Sequence, residues 1–196
     1  MGGGEEADGS ASIPSASSRA LPRRWRATAC SCARAGFARA MNDTPAVQDV
    51  HAPHGICFGC GPANEKGLRI KSRWEGEKLV ARFRPEPHHQ AFPGVLNGGI
   101  CGALLDCHGN WCAVTTLMKQ HQLAEAPSCV TSEFHVKLKR PTPVDQELTL
   151  VAWPVTVEGD AVTVDAELRA GEKVTATCRG IFVAVKPGHP AYHRWG

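Results

Sequence analysis

Residues 98–119 read as one long helix, whereas the other periodic stretches of this 196-residue chain alternate like strands. Ile100, Leu104, Cys107, Trp111, Val114 and Met118 fall on one stripe at i, i+4, i+7 spacing, the pattern of a helix that buries that face. Strand patterns cover 68–74 and 79–84 before the helix, and 129–139, 147–157, 161–170 and 173–185 after it. Glu75-Gly76, Glu158-Gly159-Asp160 and the run Ala170-Gly171-Glu172-Lys173 supply turns, while 41–53 and 88–96 read as loops. The order ββ-α-ββββ predicts an α+β fold. One antiparallel sheet of about six strands curls around the central helix and buries it.

The N-terminus has a different composition. Residues 1–42 carry six Arg against three acids, with no acid between Asp8 and Asp43. Basic and acidic residues cancel over 43–196, so the net charge of +3 belongs to the extension. A neutral body argues against nucleic acid as a partner. The extension has three readings: an Arg- and Ser-rich transit peptide, a disordered segment, or upstream sequence preceding a start at Met41. The domain is therefore expected over 43–186, with an irregular tail at 187–196. No apolar run approaches the ~20 residues needed to span a bilayer. A soluble cytoplasmic protein is expected, or an organellar one if 1–40 is a transit peptide. Nine Cys, odd in number and irregular in spacing, read as buried free thiols rather than a disulfide framework.

Chemistry concentrates at Pro93–Trp111, where a Gly-rich turn runs straight into the helix. Backbone N–H groups at a helix start have no intrahelical partner and sit at the positive end of the dipole. The N–H of Gly98 is thereby a candidate donor to an oxyanion. Gly99, Gly102, Asp106 and Ala113 form a second helix face, nearly free of side chains except for the acid. Such a face admits another backbone or a ligand, and Asp106 there is a candidate general base or nucleophile for acyl transfer, set against a helical acid paired with a basic side chain. Asn97 and Gln90 are either caps of the helix start or parts of the site. His108 follows Asp106 by two residues, points to another face, and reads as structural.

Four stretches carry a resemblance to a known family: CFGCGPANEKGLRI before the first strand, HQAFPGVLNGG opening the helix, the helix with Asp106 nine residues after Asn97, and TSEFHVKLKRP after it. The chain resembles the hot-dog-fold acyl-CoA thioesterases related to phenylacetyl-CoA thioesterases, over roughly 57–185. Where that family usually reads His-Gly-Gly, Asn97-Gly98-Gly99 stands here, and an amide also donates a hydrogen bond. The resemblance implies a hot-dog fold and hydrolysis of an acyl-CoA thioester without metal or redox cofactor. It also implies a homodimer or a tetramer formed as a dimer of dimers. It matches Thr131 to a position where the family often places a hydroxyl near the acid.

Other constellations are less specific. Lys137, Lys139 and Arg140 either meet the phosphates of CoA or protect a solvated strand edge. His51, His54, Cys57 and Cys60, three residues apart in turn, offer four zinc ligands. Structural zinc sites draw two separated pairs together, and four ligands within ten residues wrap a tetrahedron poorly, so no metal is expected. Two other functions remain on the same fold. One is a non-catalytic acyl-CoA-binding or regulatory protein. The other is an enoyl-thioester hydratase or dehydratase, which needs a His paired with an acid at the helix start.

Overall fold

The structure is a computed structural model that describes residues 44–193. The extension over 1–42, Met41 and the three readings attached to them lie outside the described residues, as do 194–196. In chain order the elements are α1 (Val47–His51), β1 (Ser72–Glu75), β2 (Lys78–Phe83), β3 (Gln90–Phe92), β4 (Val95–Leu96), α2 (Gly98–His121), β5 (Cys129–Leu138), β6 (Leu148–Glu158), β7 (Ala161–Ala170) and β8 (Lys173–Ala184). Six strands make one antiparallel sheet in the order β1-β2-β6-β7-β8-β5, and α2 packs across it. This is the α+β hot-dog arrangement. Gly159 and Gly171 turn the chain between β6, β7 and β8 with left-handed φ of 60° and 57°, which costs glycine little.

The core lies between α2 and the inner face of the sheet. Along β7 buried and half-buried residues alternate, placing Val162, Val164, Ala166 and Leu168 against the helix. From α2 come Leu104, Trp111 and Val114 of the expected stripe, fully buried, with Ile100 and Met118 packed at its ends. The helix is buried more widely than one stripe implies. Cys101, Leu105, Cys112, Ala113 and Leu117 are also buried, because the sheet curls round it and α1 with the segment before β1 closes the other flank.

Three expectations need correction. The first strand begins at Ser72 rather than 68, because Arg69 adopts a left-handed φ of 51° and breaks the extended run. The expected loop at 41–53 contains α1, and the loop at 88–96 contains a 3-10 turn and the short hairpin β3–β4. Neither has a long enough pattern to be legible. His108 is structural, as expected, and wholly buried. Its Nδ1 lies 2.9 Å from Ser72 Oγ and its Nε2 3.0 Å from the Leu79 carbonyl, while the Gln48 side chain closes the network by donating to Ser72 Oγ and accepting from Ser72 N–H. Burial pushes the His108 pKa down to about 4, so the ring is neutral, its Nε2–H donating to Leu79 and its Nδ1 accepting from Ser72.

Candidate active site

The helix start is built by one amide. Asn97 is the N-cap of α2, and its Oδ1 accepts from the N–H groups of Gly99 at 2.8 Å and Ile100 at 3.4 Å. Its own N–H bonds the His89 carbonyl, and Cys101 N–H closes the first intrahelical bond to the Asn97 carbonyl. That accounts for every first-turn donor except one. Among the described residues no acceptor meets the N–H of Gly98, at the positive end of a 24-residue helix.

Gln90 ties the preceding loop. Its Nε2 donates to the Pro87 carbonyl and its Oε1 accepts from Gly94 N–H at 2.7 Å, so both ends of the amide fix the turn that delivers the chain to Asn97. Gly99 is exposed, with its N–H given to the cap.

The acid lies farther along. Asp106 is half-buried on α2, and its Oδ1 accepts a 2.7 Å hydrogen bond from Thr131 Oγ1 on β5. A bulge lies between Thr131 and Glu133. It adds one residue, so Thr131 shares a face with Phe134, opposite Phe182 and Gly180 of β8 respectively. Phe134 and Leu138 then run along the same flank of the helix. A Cβ on Gly102 would stand 3.8 Å from the Phe134 ring, and one on Gly98 3.0 Å from Leu138 Cδ1. The small-residue face is therefore Gly98, Gly102 and Asp106, lined by β5. Gly99 is not part of it, and Ala113 is buried in the core. Neither Phe134 nor Leu138 stands out in the sequence. Their signal is the alternation Phe134, Val136, Leu138, which became meaningful only with the bulge.

β5 is an edge strand and exposed over nearly its whole length, with Phe134 37% and Leu138 58% accessible. Lys137 pairs with Thr177 and points to the opposite face of the sheet from Asp106. Lys139 and Arg140 follow Leu138 at the end near Gly98, their N–H groups both bonded to the Thr175 carbonyl and their side chains exposed. In one chain the structure brings together Asp106 and Thr131, and separately Asn97, Gly98 and Gln90. It does not bring the two groups together. An unbroken helix separates the backbones of Gly98 and Asp106 by roughly 12 Å along its axis. The His89 ring packs on Phe83, and its Nδ1 accepts from Glu86 N–H, so this His does not form the His–acid pair that hydration chemistry requires.

The thioesterase superfamily profile matches residues 93–177, from the loop before α2 into β8. A solved thioesterase superfamily protein from Shewanella loihica PV-4 is similar at 31% identity, over 64% of this chain and 98% of its own, with a TM-score of 0.53. Two more distant structures share the fold. A thioesterase from Haemophilus influenzae has 19% identity over 62% of this chain and 84% of its own, at a TM-score of 0.54. A phenylacetic acid degradation-related protein from Ralstonia eutropha JMP134 has 20% identity over 64% and 92%, at 0.53. No curated protein matches the chain.

Proposed function

Since this chain belongs to the thioesterase superfamily, we propose that it hydrolyses an acyl-CoA thioester to the free acid and CoA, at sites shared between two copies of the chain. The observation that carries the reading is the presence of a Thr131-oriented carboxylate, Asp106, and of one helix-start donor, the N–H of Gly98, that meets no acceptor among the described residues. Each is half of a hydrolytic site. A carbonyl held by Gly98 is too far from Asp106 of the same helix, whereas a two-fold dimer with antiparallel helices places Gly98 of one copy opposite Asp106 of the other. The exposed β5 edge, with Phe134 and Leu138 uncovered beside both groups, supports that assembly. A tetramer would form from two such dimers.

In this site the Gly98 N–H donates to the thioester oxygen and stabilises the charge that develops as the carbonyl carbon becomes tetrahedral. With Asn97 Oδ1 committed to the cap, its Nδ2 is the end left to orient the same oxygen. Asp106, held by Thr131, either accepts the proton of the attacking water, which gives the free acid directly, or itself attacks the carbonyl to form an anhydride that water then hydrolyses; in both cases CoA leaves as the thiolate. Gln90 and Gly99 shape the loop and helix start against which the acyl group lies. Lys139 and Arg140 at the Gly98 end, with Lys137 on the outer face, supply positive charge for the CoA phosphates. The reading requires neither metal nor redox chemistry at Asp106.

The test uses two inactive proteins, Asp106→Ala and Gly98→Pro, the second lacking the N–H. In a mixed dimer one site inherits both defects and the other neither. Refolded mixtures are expected to regain up to about a quarter of wild-type CoA release, since half the dimers carry one working site each. Mixtures that stay inactive while mixed dimers demonstrably form refute the shared site. A panel of short, medium, long and aromatic acyl-CoAs that releases no CoA with the wild type refutes the activity itself.

A further inference from the structure

We propose that Cys57, Cys60 and Cys107 form a binding site for a thiophilic metal ion, zinc(II) or copper(I), that staples the loop before β1 to the middle of α2. The site stands apart from thioester chemistry, because Cys107 lies on a different flank of the helix from Asp106 and packs with the hydrophobic core.

By spacing alone, His51, His54, Cys57 and Cys60 are four ligands within ten residues. The fold supplies a different set. Cys107 comes from fifty residues further on, so a Cys-x2-Cys turn meets one remote thiol on a helix, and neither His51 nor His54 belongs to the cluster. The three sulfurs lie within 4.8 Å of one another, and Cys57 Sγ and Cys107 Sγ are 3.6 Å apart. Thiolates at about 2.3 Å from a tetrahedral zinc are roughly 3.8 Å from each other, so the trio is already near ligand spacing.

The turn is shaped for this approach. A Cβ on Gly59 would fall 2.4 Å from Cys107 Sγ, and one on Gly61 2.4 Å from the Cys57 backbone N and 2.7 Å from its carbonyl. Glycine at 59 is what lets the turn sit on the helical sulfur, and glycine at 61 is what lets the turn close. Gly61 N–H donates to the Cys57 carbonyl at 2.8 Å, while Leu68 and Ile70 donate to the carbonyls of Phe58 and Gly59 and pin the turn to the chain entering β1.

Cys60 and Cys107 are buried and Cys57 half-buried, beside a cavity of about 290 Å³ that Cys57, Cys60 and Trp111 help to line. Three thiolates leave one coordination position for zinc, which a water or a small thiol fills from that cavity. A copper(I) ion needs only the three sulfurs. Soft ligands select these two ions over magnesium, calcium or manganese. Binding forms three metal–sulfur bonds as three S–H protons leave to solvent, with no change in oxidation state.

The full chain, reduced with a phosphine and incubated separately with zinc sulfate or with copper(I) held by a weak competing ligand, is expected to retain about one metal per chain after desalting. Cobalt(II) in place of zinc is expected to give sulfur-to-cobalt charge transfer and the strong ligand-field bands of a tetrahedral site. Its signal distinguishes zinc-type binding, whereas X-ray absorption of a three-coordinate sulfur shell identifies copper(I). Cys57→Ala, at the least buried of the three positions, is expected to keep the circular dichroism of the metal-free wild type and to lose the metal. Cys112→Ala, a buried thiol elsewhere on α2, is expected to keep the metal. Wild type that retains neither ion, or a folded Cys57→Ala that retains as much as wild type, overturns the site.

Discussion

Two flanks of one helix do opposite things in this protein. On its packed flank α2 presents Leu104, Trp111 and Val114 with the buried His108 beside them, and hardly any of that surface meets solvent. Toward β5 it presents Gly98, Gly102 and Asp106, and the strand opposite is exposed. The packed flank derives its energy from apolar area removed from water, about 25 cal/mol per Å². The open flank gives up such area. Two glycines leave room beside the one acid, and a hydroxyl on a bulged strand orients it. A helix that maximised burial on both flanks would have no place for a reacting group.

The largest expected effect breaks the comparison on its open side. Asp106→Asn is nearly isosteric and is expected to lower CoA release by about 10²–10⁴-fold while the melting temperature stays close to wild type. If turnover survives, the open flank is not catalytic. On the packed side the expected consequences reverse. Leu104→Ala should reduce stability by about 2–5 kcal/mol in urea unfolding, with turnover per folded molecule unchanged.

His108 gives the packed flank a pH signature. Its folded pKa of about 4 lies below the ordinary 6.5, so between these values the unfolded chain binds the extra proton and stability rises with pH. Above about 6.5 the neutral ring is favoured in both states and nothing is lost. Falling from there to about pH 4, the protein is expected to lose about 3 kcal/mol, and His108→Gln to flatten that part of the profile. Unfolding midpoints measured across the window decide it.

Smaller effects sharpen the boundary between the flanks. Thr131→Val removes the hydroxyl from Asp106 and is expected to slow turnover on the order of tenfold, with Thr131→Ser restoring most of it. Asn97→Ala leaves the N–H groups of Gly99 and Ile100 without their acceptor. It should cost about 1 kcal/mol of stability, seen as a modest drop in melting temperature.

Much of this was legible in the residues. The stripe from Ile100 to Met118 specified the helix, and alternation specified β6, β7 and β8 to within a residue at each end, because periodicity follows directly from which face is buried. α1, the hairpin β3–β4 and the break at Arg69 were not legible, since each spans too few residues for a period to register.

The site divided in the same way. Asp106, the helix start and the family resemblance came from local sequence, where residue type and spacing carry the information. Sequence left open whether Asn97 caps the helix. It also gave no reason for Thr131 to share a face with Phe134, and none for Cys107 to meet Cys57 and Cys60. Those depend on a one-residue bulge, on a carbonyl from His89, and on a turn that two glycines allow onto a helix fifty residues away. Local pattern fixes which way a side chain leaves its own backbone, but its neighbours come from distant segments whose register and approach only the packed whole determines.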